Sequence, residues 1–266
     1  MDRPHRAKKS LGQNFLKSGK YLSMIADVAQ INPEEAVLEI GPGKGALTSK
    51  LLEKITEGGT VVAVEKDDLL IPVLQETFKK EIAEGKLRLI HGDILEMTPE
   101  ALDLPAPYKL VANIPYYITG AILRMFLSSQ NPPSNMVLML QKEVARRIVA
   151  RDGKESLLSL SVKAYGTPRY IDTVKAMYFS PKPNVDSAIL LIENISKNFF
   201  HSFSEEKFFD VIKAGFAHKR KILARNLESN FEKEKIARAF TECDLSIKSR
   251  AEDISLAQWS ALTEKL

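Results

Sequence analysis

Two periodicities alternate along the chain. AVLEI (36–40), TVVAVE (60–65), KLRLIH (86–91), YKLVA (108–112) and NMVLML (135–140) are short runs rich in β-branched and aliphatic residues. Runs of that length and composition predict strands buried in a sheet. Between them, ALTSKLLEKI (46–55), LLIPVLQETFKKEI (69–82), a segment near 119–128 and QKEVARRIVAR (141–151) place apolar residues at helical spacing. Pro72 falls in the first turn of the second helix, where a missing N–H costs nothing. Strand–helix alternation at this pitch predicts an α/β fold with a parallel sheet covered on both faces.

The pattern changes after residue 165. YIDTVKAMYF (170–179) and SAILLIENI (187–195) predict two antiparallel strands joined by the Pro-rich loop SPKPNVD. From about residue 198 no strand pattern recurs. FFDVIKAGFAHKRKILARNL (208–227), EKEKIARAF (232–240) and LAQWSALTEKL (256–266) are helical, with Phe208, Ile212, Phe216, Leu223 and Leu227 on the apolar side of the first. The expected organisation is a catalytic domain over 1–197 and a small helical domain over 198–266. No internal repeat is visible.

Composition narrows the class. With 44% hydrophobic and 27% charged residues in 266, the chain is ordinary for a soluble globular protein. No apolar run is long enough to cross a bilayer, and the start, MDRPHRAKKS, has no secretory h-region. The single Cys243 excludes an internal disulfide and a multi-cysteine metal site; a buried or inert thiol, no metal, and a cytoplasmic setting are expected. Net charge is only +4, but it is clustered. Arg3, Arg6, Lys8, Lys9, Lys17 and Lys20 crowd the first twenty residues; Lys142, Arg146, Arg147 and Arg151 form a second group; Lys213, Lys219, Arg220, Lys221 and Arg225 form a third with no acid among them. Each alone reads as a solvated face, while three together point to a polyanion partner.

The candidate chemistry sits at strand ends. EIGPGKGALT (39–48) joins the first strand to the first helix, and its glycines permit close backbone approach by a ligand. The motif is of limited specificity, since Gly41, Gly43 and Ala46 also satisfy a dinucleotide fingerprint. Glu65, at the end of the second strand, suits two ribose hydroxyls. Asp93, in HGDIL after the third strand, suits an adenine amino group, although alone such an Asp is more often a turn or cap residue. These groups outline a nucleoside-shaped site without a P-loop lysine. NIPYY (113–117) leaves the fourth strand at the same edge. Pro115 restricts Ile114 to extended geometry and donates no hydrogen bond. The Ile114 carbonyl and the Asn113 side-chain oxygen are thereby candidates to grip the two hydrogens of one amino group. Tyr116 is placed to stack on a base; Tyr117 has no derivable role beyond core packing.

SLGQNFL (10–16), EIGPGKGALT, GDIL, NIPYY, LQKEVARR (140–147) and YFSPKPNVDSAI (178–189) together resemble the KsgA-type small-subunit rRNA adenine dimethyltransferases. The resemblance continues through FAHKRKILARNL and RAEDISLAQWSAL and so covers essentially the whole chain. It implies a Rossmann-like class I methyltransferase fold, with a seven-stranded, mostly parallel sheet ending in an antiparallel hairpin. It implies S-adenosyl-L-methionine as methyl donor and N6,N6-dimethylation of two adjacent adenines near the 3′ end of small-subunit rRNA. It implies cofactor contacts from Gln13, Asn14, Leu16, Gly41, Gly43, Glu65, Asp93, Ile94 and Asn113. The implied catalytic residues are Asn113, Ile114, Pro115 and Tyr116, with Phe179 on the far side of the target base. The expected RNA-contacting residues are Arg147, Lys219, Arg220, Lys221 and Arg225, and the expected assembly is a monomer on rRNA or an immature small subunit. Lys44 departs from the family pattern, and so does HKRK, where an arginine-rich cluster is usual. Extruding a base costs a few kcal/mol, and each aromatic face returns about 1–3 kcal/mol, so Tyr116 and Phe179 together are expected to offset extrusion. The alternatives are a large-subunit rRNA methyltransferase of the antibiotic-resistance type, an NAD-dependent oxidoreductase, for which no catalytic residue set is visible, and an RNA-binding assembly factor without activity.

Overall fold

A computed structural model of the 266-residue chain describes Lys8 and residues 11–266; Arg3, Arg6 and Lys9 of the first basic group lie outside the described residues. The strands are β1 (Phe15–Leu16), β2 (Ala36–Ile40), β3 (Thr60–Glu65), β4 (Leu87–His91), β5 (Tyr108–Asn113), β6 (Asn135–Gln141), β7 (Thr167–Val174), β8 (Phe179–Ser180) and β9 (Ser187–Glu193). The helices are α1 (Gly19–Val28), α2 (Ala46–Leu52), α3 (Ile71–Thr77), α4 (Lys79–Ala83), α5 (Thr119–Leu127), α6 (Lys142–Val149), α7 (Leu157–Lys163), α8 (Glu205–Gly215), α9 (Leu223–Leu227), α10 (Lys233–Glu242) and α11 (Leu256–Lys265).

Seven strands form one sheet in the order β4-β3-β2-β5-β6-β9-β7. All pairings from β4 to β6 are parallel, and β9 is antiparallel to both β6 and β7. β2 and β5 are buried almost throughout, which is why their sequences read as apolar runs rather than alternations. Because β2 through β6 run the same way, the residues that follow them all emerge along one edge. β1 pairs with β8 in a separate two-stranded sheet that ties the amino-terminal segment to the segment before the Pro-rich loop.

The expected helix over 69–82 is interrupted at Phe78, whose backbone departs from helical geometry (φ −112°, ψ 26°). Its amide still bonds Leu74 and its carbonyl still accepts from Ile82, so the chain kinks without unwinding. The kink turns a buried ring against the glycine turn, where a Cβ on Gly45 would lie 2.4 Å from Phe78.

The chain divides into two compact units. One takes the chain up to Ala145 together with Thr167–Ile195, and the other comprises Arg146–Gly166 and Ser196–Leu266. Residues 146–166 thus group with the helices and not with the sheet. The reason is local: Ser196 N–H donates to Tyr165 O, and the Tyr165 ring packs on Phe200 and Phe209 in an aromatic cluster that includes Phe199, Phe203 and Phe208. Within this unit, Phe208, Ile212, Leu223 and Leu227 are fully buried, and Phe216 stacks on Trp259 at 5.7 Å. The expected continuous helix over 208–227 is instead two helices. Asn226, 2% exposed, donates from Nδ2 to Gly215 O (2.6 Å) and His218 O (3.1 Å), which stabilises a turn at residues 216–222. Cys243 is half-buried and unpaired, and burial pushes its thiol up, away from a reactive thiolate. Among the described residues no helix is long and apolar enough to cross a membrane.

Candidate functional site

A cleft of about 520 Å³ opens along the edge where β2, β3 and β5 end. Its size falls within the range of small-molecule sites, roughly 300–1,000 Å³. Gly41, Gly43, Glu65, Asp93 and Ile94 form one side. Gln13, Asn14 and Leu16 come from the amino-terminal segment, and Asn113, Ile114, Pro115 and Tyr116 from the exit of β5. All of these residues belong to the sheet-containing unit.

The glycine turn and the acid at the end of β3 are locked together. Gly41 N–H donates to Val64 O at 2.9 Å, and Gly43 N–H donates to Glu65 Oε2 at 2.9 Å. Gly43 has φ +60°, and a Cβ there would lie 2.9 Å from the Phe15 ring; glycine lets β1 close down on the turn. Lys44, where the sequence departs from the family pattern, lines the cleft and places its ammonium 5.2 Å from the centroid of that same ring. Glu65 Oε1 accepts from Asp67 N–H at 2.8 Å. Burial pushes the Glu65 carboxyl up, and the Asp67 and Gly43 amides oppose this. The Lys66 amide adds a weaker contribution of the same sign.

Asp93 carries out the bland role and remains available for the other. Its Oδ1 accepts from Leu95 N–H (3.1 Å), capping the turn at Ile94–Glu96, while Oδ2 pairs with Lys66 at 2.5 Å. Burial pushes the Asp93 carboxyl up, but Lys66 and the Leu95 amide outweigh it and hold the group below its usual range. Gln13 lines the cleft, yet its side chain braces the fold: Nε2 donates to Asp67 Oδ2 (2.8 Å) and Oε1 accepts from Lys8 N–H (2.8 Å). Lys8 Nζ completes the clasp on Asp67 at 2.6 Å.

At the exit of β5, Asn113 Nδ2 donates to Asn14 O at 3.4 Å, and Asn14 Nδ2 donates to Gly12 O at 3.0 Å. This leaves Asn113 Oδ1 and the Ile114 carbonyl as acceptors without a protein donor among the described residues. Two neighbouring acceptors on a cleft wall suit a ligand with two hydrogens on one nitrogen. Tyr116 is half-buried, and its hydroxyl bonds Ser187 Oγ at 2.8 Å. Burial pushes the Tyr116 phenol up, with the Ser187 bond opposing, so the ring stays neutral. Ser187, fully buried at the start of β9, was not singled out from the sequence; nothing in a lone serine before an apolar strand signals such a contact.

The structure corrects two expectations. Phe179 is 3% exposed in the apolar core and is not a wall of the cleft. Successive strand residues face opposite ways, so when β8 pairs with β1 it turns Ser180 to the cleft and Phe179 inward. Tyr117, expected to pack in the core, is 66% exposed and lines the cleft.

Glu39 lies beneath the glycine turn, 1% exposed, and neither carboxylate oxygen has a partner at full hydrogen-bond geometry among the described residues; nearby Thr48 approaches it and only partly offsets the burial. Burial pushes its carboxyl up to about 8.

The donor set fits an adenosyl group. Two carboxylates at strand ends offer acceptors of the kind ribose hydroxyls and an adenine amine require, and Lys66, a cation on the wall, is already paired with Asp93. Among the described residues no group of three or more His, Cys, Asp or Glu is placed to hold a metal.

The chain matches the family model described as Ribosomal RNA adenine dimethylase over residues 4–266. It is 44% identical over 260 residues to Ribosomal RNA small subunit methyltransferase A of Dehalococcoides mccartyi (strain CBDB1), covering 97% of this chain and 87% of that protein. The protein of the same description from Geobacillus sp. (strain WCH70) is 36% identical over 271 residues, covering 97% and 91%. Among solved structures, a dimethyladenosine transferase from Plasmodium falciparum superposes with a TM-score of 0.78 at 25% identity, over 93% of this chain and 95% of that one. The 23S rRNA methyltransferase ErmE superposes with a TM-score of 0.77 at 25% identity, over 95% and 99%. The architecture is the class I methyltransferase fold.

Two outcomes follow from this geometry. A Glu39 carboxyl that keeps its proton to about pH 8 when folded, but loses it near 4.5 when unfolded, lowers stability as pH rises between those values. Glu39→Gln is expected to flatten that decline in melting temperature measured from pH 5 to 8.5; an unchanged slope would show that Glu39 is ionised in the fold. Ser187→Ala and Tyr116→Phe are each expected to lower turnover several-fold, on the order of one buried hydrogen bond. The double variant should be no worse than either, as a double-mutant cycle on turnover would reveal.

Proposed function

The chain belongs to the ribosomal RNA adenine dimethylase family, and on that premise we propose that it transfers methyl groups from S-adenosyl-L-methionine to N6 of adenines in small-subunit rRNA. The product is N6,N6-dimethyladenine, and the resemblance points to two adjacent adenines near the 3′ end. The observation that carries this reading is the meeting, in one cleft, of Glu65 and Asp93 with the free acceptors Asn113 Oδ1 and Ile114 O.

Glu65 would hold the cofactor's ribose and Asp93 its adenine amino group, with Gly41 and Gly43 letting the backbone approach. When bound, S-adenosyl-L-methionine supplies a methyl group activated by a positively charged sulfur. The protein's remaining task is to make a poor nucleophile available. An adenine amino lone pair is delocalised into the ring. Asn113 Oδ1 and Ile114 O, each accepting one N6 hydrogen, favour a pyramidal nitrogen and return that lone pair to it. Tyr116, held by Ser187, offers a face for the extruded base. Positioning of this kind can supply at most roughly 7–11 kcal/mol, and with an activated methyl group no strong general base is required.

The polyanion expected from charge clustering is RNA. Arg147, Lys219, Arg220, Lys221 and Arg225 are all exposed, all fall in the helical unit, and none has an ion-pair partner among the described residues. They are suited to phosphate contacts, which position an RNA without reading its sequence. On this reading residues 198–266 together with 146–166 carry the RNA contact, and the protein works in the cytoplasm where ribosomes are assembled. A large-subunit substrate is the second reading. The identity of 36–44% to relatives named for the small subunit, against 25% to ErmE, favours the first.

Labelled methyl transfer to unmethylated small subunits, with the modified bases mapped, is expected to place the label on adenines of small-subunit rRNA near its 3′ end; label confined to large-subunit RNA would overturn the assignment. Asn113→Ala should lower turnover on the order of 100-fold, the scale of losing one preorganised polar group at a reacting centre. Replacing Lys219, Arg220 and Lys221 together by Ala should reduce the log–log salt slope of RNA binding by roughly 2–3. An unchanged slope in a salt titration would remove these residues from the RNA surface.

A further inference from the structure

The exit of β5 ends in two adjacent tyrosines, and the chemistry above uses one. Tyr116 is half-buried with its hydroxyl engaged, whereas Tyr117 is 66% exposed and has no hydrogen-bond partner among the described residues. Single exposed aromatics are common and mean little by themselves. The setting of this one is more informative. Its ring is part of the cleft wall and directly follows Tyr116. It is also braced. Gly12 has φ +61°, and a Cβ built there would lie 3.4 Å from Tyr117 Cε1 and 3.3 Å from Pro115 Cβ. A glycine in the amino-terminal segment thus lets the backbone pass close against the ring. The ring is supported along one edge and presents most of its surface to solvent.

A shortfall elsewhere gives this surface a use. With Phe179 in the core, the cleft offers an extruded base the Tyr116 face but not the second ring expected from the sequence. Pulling one base from a strand also strips its neighbour of a stacking partner. Single-stranded nucleic acids are held where successive bases meet successive aromatic side chains.

We propose that Tyr117 stacks on the nucleotide adjacent to the extruded adenine, acting as a substrate-specificity residue that replaces the stack the neighbour loses. The proposal rests on the rRNA-methylation reading. The competing occupant of the ring is the adenine of the cofactor, since Lys66, which pairs with Asp93, lies close enough to feel the Tyr117 phenol.

The test uses the full chain, S-adenosyl-L-methionine and unmethylated small subunits, with Tyr117→Leu, Tyr117→Phe and Tyr117→Trp compared. Steady-state transfer, calorimetric cofactor affinity and thermal melting are measured for each. Tyr117→Leu is expected to raise KM for small subunits about 10-fold, within the roughly 5- to 150-fold that one base–aromatic stack is worth. Cofactor affinity and melting temperature should stay at wild-type values, and Phe or Trp should restore most of the loss. Three results would overturn the proposal: an unchanged KM in Tyr117→Leu; a loss of cofactor affinity matching the loss in transfer, which would assign the ring to the cofactor; or Phe as impaired as Leu, which would assign the effect to the hydroxyl. Absence of transfer by the wild-type chain would instead sink the rRNA reading, and this proposal with it.

Discussion

A proline nitrogen has no hydrogen to give, and Pro115 stands one residue beyond the end of a strand held between two parallel neighbours. That constraint organises the cleft. β5 is fixed by β2 on one side and β6 on the other, so the place where Asn113 leaves the sheet is set by the most buried part of the fold. Pro115 then holds the backbone extended just past that point (φ −56°, ψ 136°). The Ile114 carbonyl finds no partner inside the protein among the described residues, and the Asn113 amide, anchored through nitrogen to Asn14, offers its oxygen to the cleft. The two acceptors are costly to leave unpaired, and the amino group of the proposed substrate carries the two hydrogens that would satisfy both.

Three buried acids support the same cleft from beneath. Glu39, Glu65 and Asp67 are buried at 1%, 5% and 1% exposure around the end of β3 and the glycine turn. Asp67 is neutralised by Lys8 and bonded by Gln13, and Glu65 is held by two backbone amides. Glu39 has no such partner and stays protonated well above the usual carboxylate range. Of the three only Glu65 reaches the cleft, where its oxygens are acceptors suited to hydroxyl donors. The clasp from Lys8 and Gln13 also explains how an amino-terminal segment with little secondary structure of its own becomes a wall of the site.

Much of this was legible in the residues. The five parallel strands fall within a residue or so of their expected bounds, because doubly buried strands announce themselves as apolar runs. Glu65, Asp93, Asn113 and the glycines could be placed together because parallel strands deliver their ends to one edge. What escaped depends on contacts distant in sequence. The kink at Phe78 arises from a ring seated against Gly45, and the break after Gly215 from Asn226 bonding two carbonyls. That Gln13 also braces Asp67 is visible only in the fold. Phe179 faces inward because β8 pairs with β1, a two-residue bridge that no periodicity reveals. Tyr117 reads as a core residue because aromatic residues usually go there, and its 66% exposure on the cleft wall shows otherwise.

The central claim is geometric: two specific oxygens receive the hydrogens of one adenine amino group. A structure of the chain bound to a cofactor analogue and an RNA with an extruded adenine would test it directly. The account requires Asn113 Oδ1 and Ile114 O each within hydrogen-bond distance of N6, about 2.7–3.2 Å. Either oxygen turned away from the base, with N6 held by some other group, would contradict it.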